Sequence, residues 1–407
     1  NTKTKAGAPK VAKGSPREEM THEPAHECPE CGDESFSKLG EDVTEVLDYV
    51  PAHFKILRHV RPKHSCRKCE TIRQAELPSM PITKGKAASG LLAHIIISKY
   101  TDHLPLYRQS EIYARQNIHI SRSTMAGWMR QVDDLIVPLS EALAADVLSS
   151  NKLHGDDTTV PVLTPGLGKT KTGRLWVYDR GYCGDSQPAA LYRYSPDRKG
   201  IHPQEHLESY KGTLQADGYA GYNDLYKANK LSGEIKVIEA ACWAHVRRKF
   251  YEDHENTKSQ YSHEILKRIG LLYDVEREIK GRPPDERNAL REEKSLLIID
   301  ELKVYFDDIQ GNVSGKSPLA GAIRYALKRW SALQTFVHDG TVEIDNNIAE
   351  RAMRPIALRR KNYLFAGSDR GGEVTATFYS LLETCKLNNI NSQEYLADVL
   401  NRIAIIQ

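Results

Sequence analysis

Nothing in the sequence is apolar for long enough to cross a membrane as a helix. The longest apolar run, Ala93-His94-Ile95-Ile96-Ile97, falls far short of the roughly 20 residues a span needs. No secretory signal opens the chain. Its first residue is Asn1 rather than Met, which points to an N-terminus missing from the sequence. Excess charge is also lacking: a net charge of +3 does not by itself announce a nucleic-acid partner. Cysteine is scarce, with seven in 407 residues. An odd number without a secretory signal excludes a disulfide framework and points to a reducing compartment. What remains is ordinary globular composition, 40% hydrophobic and 27% charged, on a chain too long for one core, so two to four domains are expected.

The distribution of charge says more than its sum. Lys3, Lys5, Lys10, Lys13 and Arg17 make a basic tail; Arg247, Arg248 and Lys249 form a second cluster; Arg351, Arg354, Arg359, Arg360 and Lys361 form a third. Solvated surface is the commoner fate of any one cluster. The last two lie near carboxylates singled out below, which favours phosphate contact.

The chain divides by pattern. Residues 1–26 read as a flexible tail. Residues 27–80 hold Cys28-Pro-Glu-Cys31 and Cys66-Arg-Lys-Cys69, each a knuckle able to present two thiolates to one tetrahedral zinc. Between them two alternating stretches, Val43–Tyr49 and Phe54–Val60, predict a β-hairpin. A redox role is the weaker reading, since it needs only one pair. Residues 81–148 read as helical. A turn at Asn117–Ile120 precedes Ser121-Arg122-Ser123-Thr124, which opens a helix with Met125, Trp128, Met129 and Val132 at core spacing. That is a helix-turn-helix pattern, with Arg122, Ser123 and Thr124 facing DNA; plain helical packing is almost as good a reading.

Residues 149–254 change period. Leu153–Leu163, Gly173–Arg180, Ala189–Tyr194, Gly212–Ala216 and Lys236–Ala241 predict strands, and Tyr219–Lys230 and Trp243–His254 predict helices. Three strands followed by β/α alternation fit a mixed α/β sheet. Residues 255–340 read as a charged helical insertion, residues 341–378 return to the α/β core, and residues 379–407 close the chain as helices.

Phosphodiester cleavage and strand transfer need an activated water or hydroxyl and a stabilised leaving oxygen. Two hard cations about 4 Å apart supply both, and they take oxygen ligands. Carboxylates must therefore converge from different elements. Asp156 lies in the first strand of the core and Asp217 ends the fourth, so adjacent strands can bring them together; Glu350 sits on a helix far along the chain. Asp157, Glu343 and Asp345 are plausible decoys. Alternation puts Asp156 and Asp157 on opposite faces without saying which face is the site.

The stretches Cys28-Pro-Glu-Cys31-Gly32, Gly40–Val43, His59–Lys63, Gly168–Tyr178, Tyr194-Ser195-Pro196-Asp197-Arg198, Leu214–Tyr219, Ala241-Cys242-Trp243-Ala244-His245 and Ile344–Arg351 resemble those of transposases of the insertion sequence 66 family. The resemblance covers nearly the whole chain from about residue 15. It implies an RNase H-like catalytic core with Asp156, Asp217 and Glu350 as ligands of two Mg²⁺ or Mn²⁺ ions, and a structural Zn²⁺ on Cys28, Cys31, Cys66 and Cys69. It also implies that Cys242 to His245 is the C-x-x-H signature of related transposases, with His245 contacting DNA or orienting a ligand; a buried, hydrogen-bonded histidine is an equally good reading. The implied partners are double-stranded DNA with terminal inverted repeats, target DNA, a second copy of the chain or more, and accessory proteins encoded by the same element. A bacterial cytoplasmic setting at the nucleoid follows. Family members usually carry a zipper-like helical segment before the cysteine module, absent from this sequence. Two other functions stand beside transposition: a catalytically inactive DNA-binding protein derived from a transposase, and an RNase H-like nuclease.

Overall fold

The computed structural model describes residues 18–21, 43, 53–83, 85–164, 166, 168–182, 186–228 and 233–406. The chain splits into two units, Asn1–Lys55 and Ile56–Gln407, and every element below belongs to the second. The basic tail from Lys3 to Arg17, Cys28, Cys31 and all of the expected strand Val43–Tyr49 except Val43 lie outside the described residues.

The first elements are two short strands, β1 (Lys63–Ser65) and β2 (Ile72–Gln74), paired antiparallel. Cys66 to Cys69 form the turn between them. It is closed by the Cys66 amide donating to the Thr71 carbonyl (2.9 Å) and the Glu70 amide donating to the Cys66 carbonyl (2.8 Å). The expected strand Phe54–Val60 does not form. Ile56, Leu57 and Val60 stay exposed, so its alternation finds neither a partner strand nor a face to bury among the described residues.

Four helices follow: α1 (Ser89–Tyr100), α2 (Leu106–Ala114), α3 (Arg122–Leu135) and α4 (Val137–Leu148). Ser121 caps α3 by accepting from the Thr124 amide (3.1 Å), as its position before an apolar-periodic run predicts. Met125, Met129 and Val132 are buried at the expected spacing, and Trp128 is half-buried.

The sheet is mixed and five-stranded. Three antiparallel strands, β3 (Lys152–Leu163), β4 (Thr170–Asp179) and β5 (Ala190–Ser195), form one half. A short helix α5 (Ile201–His206) leads to β6 (Gly212–Ala216) and then β7 (Val237–Ala240), both parallel to β3, giving the order β5-β4-β3-β6-β7. The five strands stand within three residues of where sequence alternation puts them. The expected helix Tyr219–Lys230 is instead a 3-10 turn, Ala220–Tyr222, followed by turns, as far as it is described. Its aromatic residues serve the sheet instead of a helix face: Tyr219 and Tyr222 pack their rings about Trp176.

An edge strand exposes unpaired backbone groups. Here β5 is covered by the long helix α14 (Asp369–Leu387). The Tyr192 amide donates to the Ser380 hydroxyl (2.7 Å) and the Ala190 amide to that of Thr384 (3.1 Å). The last helix, α15 (Ser392–Ile406), packs on α1, joining the chain's end to the helical layer that precedes the sheet.

Beyond β7 come α6 (Trp243–Thr257), α7 (Gln260–Glu278), α8 (Pro284–Leu290), a π-helical turn at Arg291–Ser295, α9 (Leu296–Gln310), α10 (Pro318–Lys328) and α11 (Trp330–His338). Helices α6, α7, α9, α10 and α11 share one core, with Phe250, Ile269, Phe306, Ile323 and Leu333 among its buried members. Arg291 is fully buried at its centre. It donates to both Glu276 carboxylate oxygens (2.7 Å each) and to the carbonyls of Phe336 (2.8 Å) and Val342 (2.9 Å). This fixes α7 against the segment that returns to the sheet through α12 (Asn347–Ala352) and α13 (Arg354–Arg359).

Candidate active site

The site begins where a strand stops. β6 ends at Ala216, level with Gly155 of β3, so Asp156 and Asp217 are the first residues past the paired segment. Asp217 follows the carboxyl end of β6, where crevices form in open α/β sheets, while Asp156 lies within β3, opposite Val177 of β4. Gly155 allows the close approach: a Cβ there would come within 3.2 Å of Leu214 and 3.4 Å of the Tyr222 hydroxyl. After Asp217 the chain turns sharply, and Asp217 Oδ1 accepts from the Tyr219 amide (3.0 Å). A Cβ on Gly218 would meet the Arg329 guanidinium at 2.9 Å. Arg329, between α10 and α11, donates to the Gly218 carbonyl (2.8 Å), so the helical insertion braces the Asp217 turn directly.

Glu350 arrives on α12, and Asn346 sets its place. The Asn346 side-chain amide donates to the Gly155 carbonyl (2.9 Å), its Oδ1 accepts from His154 Nδ1 (3.1 Å), and its backbone amide donates to Cys242 Sγ (3.2 Å). One buried asparagine thus ties β3, the start of α6 and the start of α12 together. Burial holds the His154 imidazole far below its ordinary value, at about 3, so the ring is neutral. Burial likewise raises the Cys242 thiol to about 11, which keeps it a hydrogen-bond acceptor rather than a reactive or metal-binding thiolate. Asp345, adjacent to Asn346, accepts from the Asn347 amide and side chain and from the Tyr273 hydroxyl (3.2 Å), a structural role.

The two neighbouring aspartates part completely. Asp157 has a side chain 1% exposed and is held by two guanidiniums, Arg174 Nη1 at 2.9 Å and Arg198 Nη2 at 2.7 Å. Asp156, on the other face, has no cationic partner among the described residues; its Oδ1 accepts from the Asp157 amide (2.8 Å). Burial, with the negative charges of Asp217, Asp157 and Glu350, pushes the Asp156 carboxyl up to about 7. The charges of Asp217 and Glu350 thus act on Asp156, as does that of Asp157 from the opposite face. Glu343 is taken by Arg287 (2.9 Å).

Cations rim the cluster. Glu350 Oε1 stands 3.7 Å from His245 Nε2 and 3.5 Å from Arg248 Nη2, and Asp217 Oδ2 stands 3.7 Å from Arg198. His245 lies in the third position of α6, half-buried, with Nδ1 buried and unpartnered. Burial lowers its pKa, while Glu350 and Asp217 pull the other way. Arg247, Arg248, Arg351, Arg354, Arg360 and Lys361 are exposed. Arg360 reaches back to the Thr158 hydroxyl and the Thr159 carbonyl (2.8 Å) on β3. Arg359 differs: it is 4% exposed, turned inward over the Tyr363 ring, and offers nothing to a ligand at the surface. Arg122, Ser123 and Thr124 are exposed on the first turn of α3.

Three carboxylates, one holding its proton to about pH 7 through burial and then the negative charges near it, offer the oxygen donors that hard divalent cations take, and a cation would relieve that repulsion. Among the described residues no three His, Cys, Asp or Glu side chains stand close enough together to hold a metal ion. At the hairpin, Cys66 and Cys69 are exposed and unoxidised. Hydrogen bonds from Thr71, then from Cys66, draw the Cys69 thiol below its ordinary value, toward the thiolate that zinc requires.

The residues hardest to foresee are Asn346, His154 and Arg198. The asparagine stands in Asp345-Asn346-Asn347 before a helix, and that local pattern reads as a cap; its partners are 104 and more positions away.

Three family models match the chain: one described as Transposase IS66 family over residues 84–374, one as zinc-finger binding domain of transposase IS66 over residues 26–70, and one as IS66 C-terminal element over residues 380–407. Similar proteins include uncharacterized proteins of Sinorhizobium fredii (strain NBRC 101917 / NGR234). One, y4qI, is 42% identical over 370 residues, covering 90% of this chain and 69% of that protein; another, y4hP, is 39% identical over 403 residues, covering 95% and 72%.

Proposed function

The chain belongs to the Transposase IS66 family, and from that premise we propose that it cleaves the ends of a DNA element and joins them to target DNA. The observation that carries this reading is the set Asp156, Asp217 and Glu350, in which Asp156 is half-buried, has no counter-ion among the described residues and feels the charges of the other two. The sheet order, three antiparallel strands followed by two parallel to the first, supports an RNase H-like core.

Asp156, Asp217 and Glu350 would hold two Mg²⁺ or Mn²⁺ ions. Bound there, the ions supply an activated water or 3′-hydroxyl and stabilise the leaving oxygen. The chain's own residues do the rest. Asp156, whose carboxyl is raised to about 7, would serve as a cation ligand in its deprotonated form. Asn346 keeps Glu350 in register with Asp156 through the Gly155 carbonyl. Arg248, beside Glu350, and Arg351, Arg354, Arg360 and Lys361 receive phosphate oxygens and set the strand across the cluster. His245 stands between Glu350 and Asp217 as an orienting group.

The α2–α3 pair acts as a helix-turn-helix. The exposed first turn of α3, with Arg122, Ser123 and Thr124, enters the major groove of the terminal repeats. The zinc-finger family match over residues 26–70 supports a structural zinc, to which Cys66 and Cys69 would contribute thiolates. Joining two ends requires two catalytic clusters, so the DNA-bound form is at least a dimer.

The test offers the purified chain an element-end duplex and an RNA–DNA hybrid, with Mn²⁺ or with EDTA. Mn²⁺-dependent nicking of the duplex that Asp156→Ala loses is the expected result. Preference for the hybrid would favour an RNase H-like nuclease, and no cleavage of either would favour a DNA-binding protein without catalysis.

A further inference from the structure

The segment Tyr194–Arg198 and the turn Asp217–Tyr219 lie far apart in sequence but meet in one arrangement. Arg198 donates from Nε and Nη2 to Asp157 at 3.0 and 2.7 Å. Its guanidinium carbon sits 4.0 Å from the centroid of the Tyr219 ring, and the Tyr219 hydroxyl donates to the Arg198 carbonyl. The supporting loop is fixed as well: Trp176 Nε1 donates to the Ser195 hydroxyl (2.7 Å), which donates to the Asp197 carbonyl (2.6 Å). Arg198 is therefore held by its main chain, its ring contact and a forked ion pair.

The charges do not balance within this group. Asp157 is one carboxylate facing two guanidiniums, because Arg174 also reaches it at 2.9 Å. One positive charge is left over, and Arg198 turns it toward Asp217 Oδ2 at 3.7 Å. The other oxygen of Asp217 is already committed to the Tyr219 amide. Asp217 is thus oriented by Tyr219 and compensated by Arg198, while Asp156 has no cation of its own among the described residues.

We propose that Arg198 is a positioning residue that acts through Asp217: anchored on Asp157 and Tyr219, it compensates the Asp217 charge in the cation-free protein and so raises the divalent-cation concentration needed to fill the cluster. The consequence is economy of loading. The cluster fills poorly from solution while the Arg198 charge stands beside Asp217. This rests on the reading of Asp217 as a cation ligand.

The experiment measures Mn²⁺ binding to the full chain without DNA, by the loss of the free-ion paramagnetic resonance signal. Arg198→Gln keeps a planar amide and leaves Asp157 paired with Arg174. It is expected to bind Mn²⁺ about fivefold more tightly than the unaltered protein, the factor that a partly exposed ion pair is worth. Arg198→Lys retains the charge and is expected to stay within about twofold of the unaltered protein. Unchanged or weaker binding by Arg198→Gln, or equal effects of the two substitutions, overturns the proposal. Asp217→Asn separates the premises: if it binds Mn²⁺ as well as the unaltered protein, the ligand reading of Asp217 fails. If it binds weakly while Arg198→Gln changes nothing, only the role of Arg198 fails. Equal unfolding midpoints for the two Arg198 variants confirm that they are compared in the same fold.

Discussion

Replacing Asp156 with asparagine should make the cation-free protein more stable, and replacing its neighbour Asp157 should make it less so. Burial and the facing charges of Asp217, Asp157 and Glu350 raise the Asp156 carboxyl to about 7, against about 3.9 for a free aspartate. A carboxyl whose folded pKa is raised favours the folded state while it holds its proton. That contribution is complete below about pH 4 and is lost as pH rises through about 7. At about 1.36 kcal/mol per unit the gap sets a ceiling near 4 kcal/mol, which the partial solvent access of Asp156 reduces to roughly 2 kcal/mol. Asp156→Asn keeps the shape and the acceptor for the Asp157 amide but removes the charge. Urea unfolding in EDTA should therefore find Asp156→Asn more stable than the unaltered protein by roughly 2 kcal/mol at pH 8, with the difference gone near pH 4. Asp157→Asn leaves Arg174 and Arg198 without their carboxylate and should cost roughly 3 kcal/mol at pH 8. The reasoning is refuted if Asp156→Asn gains nothing at pH 8, or gains as much at pH 4, or if the two substitutions have the same sign.

Asn346→Ala should remove the ties to His154 and Gly155, lowering stability by roughly 2 kcal/mol and impairing nicking through Glu350; unimpaired cleavage would show that Glu350 is set by something else. Arg291→Met should strand the Glu276 carboxylate inside the helical insertion and cost roughly 3–5 kcal/mol in urea unfolding. Zinc measured by elemental analysis should fall from one ion per chain to none when Cys66 and Cys69 are both changed to serine, and retention of the metal would remove them as ligands.

The sequence made parts of this site legible because some determinants are local. Five strands follow from alternation, and Asp217 reads correctly as a strand end because Gly218 follows it. Asp156 could not be separated from Asp157 by alternation alone. What separates them is Arg174 on the next strand and Arg198 on a loop 41 residues away, and neither announces its partner. Glu350 was hidden for a similar reason: the helical insertion removes any regular spacing, and the link that registers it is a single asparagine. The expected helix over Tyr219–Lys230 failed where tertiary packing outweighed propensity, since Gly221 must pass Gly200 closely and Tyr219 is committed to Arg198 and Trp176. Arg359 looked like its basic neighbours in a row of charges, yet the helix turns it inward.

The central claim is that Asp156, Asp217 and Glu350 form one cation-binding catalytic cluster. The direct measurement is single-strand nicking of an element-end duplex in Mn²⁺ by the unaltered protein and by Asp156→Ala, Asp217→Ala and Glu350→Ala, each first shown to bind the same duplex. The account predicts cleavage by the unaltered protein alone, abolished by EDTA, with all three variants binding DNA but not cutting it. A variant that binds and cuts as well as the unaltered protein would contradict it.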